Sequence, residues 1–294
     1  MYYPLVTSLV LVYKRYDHLF NAISSIMNQD YPNIEIIVSD DGSGDFPLED
    51  VKIFIEENKK DNVKNVIINV NEKNMGTVKH VNKTIKMSSG EYFIGVPGDD
   101  EFFNTTIIRS IVDEFIKTDA LIITTRRNMC SDGHDIVVPN NKQFTLITKS
   151  EPKGLFKLMS GINLLSSGST YYSRKLFDEF GYFDEEYVLL DDYPKYLSLL
   201  RNEVKIHAFD IIAINYNIGG VSTKGHLHPQ MYRDGLLAIK KEIIPYMRYF
   251  NFFERRRVKY QFEYFKSWEK MNNVQRLLLK LRYIDAVLYR MNLI

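Results

Sequence analysis

The chain has 294 residues, of which 45% are hydrophobic and 26% are charged, with a formal net charge of +1. This length allows one large domain or a catalytic domain with an appendage, and the near-neutral charge gives no field that would select nucleic acid. The single cysteine, Cys130, excludes an internal disulfide, which fits the reducing cytoplasm. The sequence contains no run of about 18 apolar residues, so no membrane span is predicted.

Strands and helices alternate through the first hundred residues. Near-continuous apolar runs predict strands, and apolar residues spaced at three and four predict helices. The predicted strands are Leu5–Val12, Ile34–Val38, Val63–Val70 and Tyr92–Val96, and the predicted helices are Leu19–Met27, Phe46–Asn58 and Thr77–Met87. This alternation is typical of an α/β fold with a mostly parallel, Rossmann-like sheet flanked by helices. No basic region precedes the first strand, so it does not resemble a signal peptide.

In the second half, helices and strands follow each other in a less regular order, and the amino-acid composition changes near Pro229. The predicted elements are helices at Asn104–Lys117, Glu151–Ile162 and Arg174–Phe180, a helix that Asp191-Asp192 opens, strands at Leu121–Thr125, Val204–Ile206 and Ala208–Tyr216, and a hairpin turn at Asp132-Gly133. From Pro229 onward the chain predicts helices rich in Tyr, Phe and Arg. Residues 248–294 hold eleven Lys or Arg against four Asp or Glu, which predicts a basic helical appendage at 229–294.

Three pairs of adjacent aspartates stand at turns: Asp40-Asp41, Asp99-Asp100 and Asp191-Asp192. The first two follow strands of one parallel sheet, and open α/β sheets bind ligands at the carboxyl ends of their strands. Oxygen-rich clusters suit Mg²⁺ or Mn²⁺, which often also hold substrate phosphates. Any single pair has a solvated acidic turn as its alternative. Together the pairs predict a site that binds an anion through a metal and also holds a base.

The order of the motifs resembles that of family 2 glycosyltransferases over roughly residues 4–220. The specific string is Glu35-Ile-Ile-Val-Ser-Asp40-Asp41-Gly-Ser43, and it follows Gln29-x-Tyr31-Pro32. Asn74-x-Gly76, Gly98-Asp99-Asp100 and Gly181-x-Phe183-Asp184-Glu185 come after it in the family's order. The resemblance implies a GT-A fold in residues 1–228, with a nucleotide-binding half at 1–101 and an acceptor half at 102–228.

The family resemblance also implies the reaction and its partners. It implies inverting transfer of one sugar from a nucleotide diphosphate sugar, most commonly UDP-linked, with Mn²⁺ or Mg²⁺ as cofactor. The acceptor would be a hydroxyl of a glycan or of a lipid-linked acceptor in surface polysaccharide synthesis. The Gln-x-x-Arg-Trp signature of processive members is absent, since the only tryptophan, Trp268, lies in another context. Single-sugar transfer is therefore expected.

Matching positions give each site residue an expected role. Asp41 should contact the nucleotide base, with Asp40 shaping the turn and Tyr13 as a stacking partner. Asp99 should lie by the ribose and metal, and Asp100 should ligate the metal. Asp192 should be the general base, preceded by Asp191 where the family usually has Glu.

Three further residues have weaker assignments. Arg15 can meet the phosphates or simply face solvent at a helix entry. Asn74 is expected first to stabilise its turn and second to contact the nucleotide. His226 can reach the metal or diphosphate from its loop, or be a solvated loop histidine. Pro97 stands where family members often have a further acid, which reduces the carboxylates available to a metal.

Two other functions fit parts of the pattern. A nucleotidyltransferase that makes a nucleotide sugar uses a related design, but the stretch after the first strand lacks the glycines of its phosphate loop. A catalytically inactive scaffold of a polysaccharide assembly complex is favoured by Pro97 alone. The basic, aromatic helices of 229–294 predict either peripheral contact with the inner face of the membrane or a homodimer.

Overall fold

A computed structural model describes residues 2–131, 134–217 and 227–292. The strands of this part of the chain are β1 (Val6–Val12), β2 (Ile34–Asp40), β3 (Val63–Val70), β4 (Tyr92–Phe93), β5 (Glu101–Phe102), β6 (Ile122–Ser131), β7 (His134–Val138), β8 (Thr170–Ser173) and β9 (His207–Asn217). Its helices are α1 (Leu19–Met27), α2 (Leu48–Asn58), α3 (Thr77–Met87), α4 (Ile107–Thr118), α5 (Asn141–Lys149), α6 (Pro152–Met159), α7 (Arg174–Phe180), α8 (Asp192–Arg201), α9 (Pro229–Ala238), α10 (Phe252–Ser267), α11 (Asn273–Arg282) and α12 (Ile284–Met291).

The chain divides into two compact units. The first comprises Met1–Val138, Ser166–Tyr182 and Ile206–Gly220, and the second comprises Pro139–Leu165, Phe183–Lys205 and Val221–Ile294. All the strands named above lie in the first unit, and the regular elements of the second unit in the described residues are helices joined by loops. The division of the chain at residue 228 stays a prediction.

One mixed sheet forms the centre of the first unit, with strand order β3-β2-β1-β4-β8-β6-β9-β5 and with β7 paired to β6. The strands β3, β2, β1 and β4 are mutually parallel, as the alternating pattern predicted. The short β8 then pairs antiparallel with both β4 and β6. The carboxyl ends of the four parallel strands therefore lie at one edge of the sheet.

The core of the first unit follows from the apolar runs. All seven residues of β2 are buried, as expected for a central parallel strand with helices on both faces. The apolar stripe of α1, which includes Leu19, Ile23 and Ile26, packs into the same cluster. At roughly 25 cal/mol per Å² of apolar surface removed from water, this burial is the main term that stabilises the unit.

Local polar signals fix where helices of the second unit begin. Asn140, Asn251 and Asn272 each accept a hydrogen bond from the backbone N–H three residues later, and a Gln or Glu side chain at that position returns one. These reciprocal capping boxes satisfy N–H groups that the first helical turn leaves unpaired. Helix α5 lies in a stretch where no helix was predicted, and its capping box is the signal that could have predicted it.

Some boundaries differ from those predicted. The strand expected at Tyr92–Val96 pairs only over Tyr92–Phe93, because the chain turns toward the Pro97-Gly98 break. No strand forms at Val204–Ile206, and β9 is a single strand. The predicted turn at Asp132-Gly133 lies outside the described residues, although β6 and β7 on either side pair antiparallel. No helix in the described ranges is both long and apolar enough to span a bilayer.

Gly235 allows α10 to approach α9 closely. A Cβ placed on Gly235 would lie 2.6 to 2.8 Å from three ring atoms of Phe265, a separation that no real contact tolerates. We therefore expect Gly235→Ala to lower the free energy of unfolding by about 1–3 kcal/mol, the usual cost of overpacking. The measurement is equilibrium denaturation, read as a shift in midpoint at constant slope.

The matched control is Gly154→Ala in α6, where the nearest atom to a new Cβ is 4.0 Å away. With space available, this substitution should raise stability by about 0.5–1 kcal/mol, since alanine is the better helix former. Equal gains at both glycines would contradict the close packing of Phe265.

Candidate functional site

Backbone hydrogen bonds join the loops that follow β1, β2 and β3. The Asp41 N–H donates to the Val12 carbonyl at 2.9 Å, and the Asn71 N–H donates to the Asp40 carbonyl at 3.0 Å. The parallel register that brings Val12 beside Asp40 continues into these loops. The structure therefore brings the predicted nucleotide-binding segments to one edge of the first unit.

Asp40 shapes the turn after β2, as predicted from its position. Its carboxylate accepts hydrogen bonds from the Ser43 N–H at 2.9 Å and from the Ser43 hydroxyl. Ser43 Oγ in turn accepts from the Lys14 N–H at 2.9 Å, where Lys14 has a left-handed φ of 55°. Asp40 thus positions the loop after β1 through one intermediate hydroxyl.

Asp41 is buried and holds the loop after β3. Its Oδ1 accepts from Asn71 Nδ2 at 2.9 Å and from the Met75 N–H at 3.1 Å, and its Oδ2 accepts from the Gly76 N–H at 3.1 Å. Gly42 supports this approach, because a Cβ there would lie 2.3 Å from the Lys73 carbonyl carbon. The loop-holding role is what the structure displays. A contact between Asp41 and a nucleotide base remains a proposal.

A buried polar network lies beneath this loop. Ser39 Oγ and His80 Nε2 are 2.7 Å apart, and the Asn69 amide donates to Ser39 Oγ at 2.8 Å and to Asn71 Oδ1 at 3.0 Å. Lys83 Nζ donates to the same Asn71 oxygen at 2.6 Å. Burial lowers the pKa of His80, which favours its neutral form at pH 7. The Asn71 side chain is therefore held by Asn69 and Lys83 in the position from which it donates to Asp41.

The remaining predicted nucleotide contacts lie at the surface of this edge. Tyr13 is 44% exposed, and Asn74 is exposed on the loop that Asp41 holds. The Arg15 guanidinium forms an ion pair with Asp99 at 2.9 Å. Tyr13 thus presents an aromatic face, and Arg15 is a cation already held beside a predicted metal-site residue.

Asp100 is 1% exposed, and one of its oxygens has no partner. Oδ1 accepts from the Asn217 N–H at 2.9 Å, whereas no described residue donates to the buried Oδ2. The Asn217 amide also donates to the Asp99 carbonyl at 2.7 Å. Burial raises the pKa of Asp100 to about 7, the Asn217 N–H opposes that rise, and the charge of Asp99 adds to it.

An unpaired buried carboxylate oxygen is suited to binding a cation, because a buried charge must be paired or bound to a metal. Gly168 leaves room beside it, since a Cβ at that position would lie 3.8 Å from Asp100 Oδ2 and 3.3 Å from Pro97 Cγ. Within the ranges described, no three His, Cys, Asp or Glu side chains gather as a ready-made metal site. A cation here would therefore use Asp100, the neighbouring Asp99 and oxygens from outside the protein.

Two cationic or polar neighbours of Asp100 had no sequence signal. The Arg127 guanidinium lies 4.1 Å from the centre of the Tyr216 ring, and its charge lowers the pKa of Asp100 against the effect of burial. Asn217 could not be anticipated because β9 pairs with β5, more than a hundred residues earlier in the chain. His226, a predicted metal ligand, lies outside the described residues.

Asp191 and Asp192 belong to the second unit, at the start of α8. Asp192 is buried, and its Oδ1 accepts from the Tyr193 N–H at 2.7 Å. Desolvation and then the charge of Asp192 raise the pKa of Asp191. The repulsion between the two adjacent carboxylates therefore favours the protonated form of Asp191.

Asp234 on α9 holds the segment that leads to this pair. Its Oδ2 accepts from three consecutive N–H groups, those of Val188, Leu189 and Leu190, at 3.1, 2.7 and 3.1 Å. Its Oδ1 accepts from the Gln230 amide at 2.8 Å. Asp234 was not predicted, because the three N–H groups that its Oδ2 binds lie more than forty residues away and no spacing links them.

The same segment is anchored further by the π-helical turn Ile239–Ile243, which continues α9. Lys241 forms ion pairs with Asp184 at 2.5 Å and with Glu186 at 3.1 Å. The Tyr187 hydroxyl donates to Glu242 at 3.4 Å. Residues 184–190 are therefore positioned by side chains of the C-terminal region, within the second unit.

Comparison with known proteins places this geometry in a family context. The profile of Glycosyl transferase family 2 matches residues 8–181. Glycosyltransferase GlyA of Streptococcus pneumoniae serotype 4 is 24% identical over 244 residues, which cover 82% of this chain and 30% of that protein. The chain spans no more than 32% of the length of the first curated relatives that it matches.

Two solved structures share the fold over nearly the whole chain. The crystal structure of S. aureus TarS 1-349 in complex with UDP-GlcNAc aligns with a TM-score of 0.65 at 17% identity, covering 96% of this chain and 81% of that one. The mannosyltransferase PcManGT from Pyrobaculum calidifontis, in complex with GDP-Man and Mn²⁺, aligns with a TM-score of 0.62 at 14% identity, covering 97% and 81%.

The raised pKa of Asp100 predicts a pH dependence of stability. Its folded pKa of about 7 lies above the ordinary value of 3.8, so in the presence of a chelator the unfolding free energy of the wild type should fall as pH rises from about 4 to about 7. Asp100→Asn removes this fall. At pH 8 the variant should be the more stable by a few kcal/mol, since each pKa unit corresponds to about 1.4 kcal/mol.

The control is Asp61→Asn, which removes an exposed carboxylate and should leave the pH profile of the wild type unchanged. Denaturation at intervals between pH 4 and pH 8 measures all three proteins. Parallel profiles for the wild type and Asp100→Asn would show that the Asp100 carboxyl is not desolvated.

Proposed function

The chain belongs to glycosyltransferase family 2 and has the GT-A fold, and from that basis we propose that it moves one sugar from a nucleotide diphosphate sugar to a hydroxyl, with inversion. The observation that carries the proposal is the buried, unpartnered oxygen of Asp100 at the carboxyl edge of the sheet. We propose a UDP-linked donor, because the family most commonly uses one and TarS was crystallised with UDP-GlcNAc. The acceptor is a glycan or lipid-linked hydroxyl in surface polysaccharide synthesis.

Residues of the first unit bind the donor in this proposal. Tyr13 stacks on the base, and the loop that Asp41 holds places Asn74 beside the nucleoside. Arg15 exchanges part of its interaction with Asp99 for a phosphate oxygen, and it is the preferred residue type for that contact. Asp40 keeps the loops in register without touching the donor.

Asp100 and Asp99 would hold the divalent cation, Mn²⁺ or Mg²⁺. When bound, the cation neutralises the charge that develops on the leaving diphosphate. Support comes from the PcManGT complex with Mn²⁺ and from the free oxygen of Asp100. The cation would have few protein ligands, because Pro97 stands where family members often have an acid and its side chain cannot coordinate a metal.

Asp192 acts as the general base, with Asp191 beside it. The acceptor oxygen forms a bond to the anomeric carbon while the bond from that carbon to the diphosphate oxygen breaks. The diphosphate leaves with the electron pair, and the acceptor proton passes to Asp192. Asp234 is a positioning residue for this step, because it orients the backbone that enters the pair.

The donor assignment predicts a nucleotide-dependent stabilisation. Of UDP, GDP and ADP, UDP with Mn²⁺ should raise the unfolding temperature most, since a ligand that binds only the folded state stabilises it. Asp192→Asn should keep this shift and lose about 10²–10⁴-fold in donor turnover. Asp100→Asn should lose the part of the shift that depends on Mn²⁺. Thermal shift and release of nucleotide from UDP-sugars measure the two effects.

A third variant, Glu179→Gln, removes an exposed acid on α7 and should match the wild type in both assays. If donor turnover were unchanged in both Asp100→Asn and Asp192→Asn, the proposed roles of these residues in cation binding and as general base would be wrong. Formation of a nucleotide sugar from a sugar phosphate and a nucleoside triphosphate would instead support a nucleotidyltransferase.

We also propose that α11 and α12 contact the surface of an anionic membrane. The inner sides of this pair pack around Tyr260, Leu279 and Tyr283. Their outer sides carry large apolar residues that are 47–67% exposed, namely Val274, Leu277, Leu278, Leu281, Ile284, Leu288 and Met291. Arg276, Lys280 and Arg282 share α11 with four of them, and such basic amphipathic helices lie flat in lipid headgroups.

Vesicle co-sedimentation tests this contact. The wild type should bind vesicles that contain phosphatidylglycerol and should bind neutral phosphatidylcholine vesicles less. The double change Leu278→Glu and Leu281→Glu should abolish binding, whereas Ile116→Glu, at an equally exposed position on α4, should not. A wild type that ignores both vesicles and sediments as a dimer would favour the homodimer instead.

A further inference from the structure

The second unit encloses a pocket of about 250 Å³ beside Asp191 and Asp192. Leu190 precedes this pair and Tyr193 follows it, and both side chains line the pocket. The backbone of the pair therefore runs along the pocket wall. Neither aspartate contributes to the lining, so the pocket is a space next to the base and not the place of the reacting hydroxyl itself.

The pocket has aromatic walls and a fixed frame. Tyr260, Tyr264 and Phe265 of α10 line it together with Tyr193. The Tyr193 hydroxyl donates to the Met159 carbonyl at 2.6 Å, which locks that ring. Flat, rigid aromatic faces with a few polar groups are the usual composition of small-molecule sites.

Tyr260, Tyr264 and Arg290 line this space and carry groups that can bind a polar ligand. Among the residues that the structure describes, the hydroxyls of Tyr260 and Tyr264 form no hydrogen bond. Arg290 of α12 also lines the pocket, and in the same part of the chain it forms no ion pair, whereas Arg256 of α10 pairs with Asp285 at 2.7 Å. A guanidinium without a carboxylate partner, at the wall of an aromatic pocket, is suited to an anionic ligand.

We propose that this pocket is an acceptor subsite, and that the acceptor carries a phosphate or carboxylate group that Arg290 binds. The inference rests on the proposed transfer function, because it is the base at Asp192 that makes the neighbouring space an acceptor site. A sugar ring packs against Tyr264 and Phe265, its hydroxyls meet the free tyrosine hydroxyls, and its charged group meets Arg290. The enzyme therefore selects an anionic glycan over a neutral one.

Binding of small probes to the full chain tests this without knowledge of the donor. Glucose 1-phosphate and glucuronate should bind more tightly than glucose or inorganic phosphate, as measured by NMR titration. Arg290→Gln should weaken the two charged sugars about tenfold, the usual scale for one charge-assisted contact. Lys259→Gln, which removes an exposed cation of α10 that does not line the pocket, should not.

A second variant separates this pocket from the donor site. Met231→Trp fills the space from the α9 side and should abolish the charged-sugar binding while leaving binding of UDP with Mn²⁺ intact. Equal binding of glucose and glucuronate, phosphate binding as tight as that of glucose 1-phosphate, or Arg290→Gln equal to wild type would each overturn the inference. If UDP binding persists in those cases, the transfer function stands without it.

If no nucleotide binds while the charged sugars do, the pocket is an anionic sugar site and its assignment to an acceptor fails together with the transfer function. The two proposals therefore fail in distinguishable ways.

Discussion

The architecture of both units depends on how buried aspartates are compensated. Removing a carboxylate from water is costly unless hydrogen-bond donors replace the lost hydration. Asp41 meets this requirement with three donors from the loop after β3, and Asp234 meets it with three consecutive N–H groups of residues 188–190. Each carboxylate thereby orders a loop that would otherwise expose its backbone to water. Asp100 differs, because its Oδ2 accepts no hydrogen bond from the described residues.

The sheet could be predicted from sequence because its signals are local. Uninterrupted apolar runs such as that of β2 identify strands covered on both faces, and acids that directly follow parallel strands must meet at one edge. The placement of Asp40, Asp41, Asp99 and Asp100 on the first unit follows from these two rules. The family assignment, which was suggested by the same motifs, is confirmed by the match over residues 8–181.

The partners of those acids could not be predicted, since hydrogen bonds across long sequence separations leave no periodic trace. Position alone assigned Asp41 to the nucleotide, but its carboxylate also fixes the Met75–Gly76 turn. The role of Asp234 was not predicted for the same reason, and this residue lies in a region that was expected to be an appendage. Its contacts show that residues after 228 help to shape the segment before Asp192, so α9 contributes to the framework of the second unit.

The protonation state of Asp100 gives cation binding a calorimetric signature. With its pKa raised to about 7 by burial, this carboxyl is partly protonated at neutral pH, and metal binding requires the ionised form. If Asp100 binds the cation, binding near neutral pH must release protons to the buffer. The apparent enthalpy would then vary with the ionisation heat of the buffer, and the apparent affinity would rise with pH until the carboxyl is fully ionised. Burial of one oxygen would thus couple cation binding at Asp100 to the proton concentration of the surroundings.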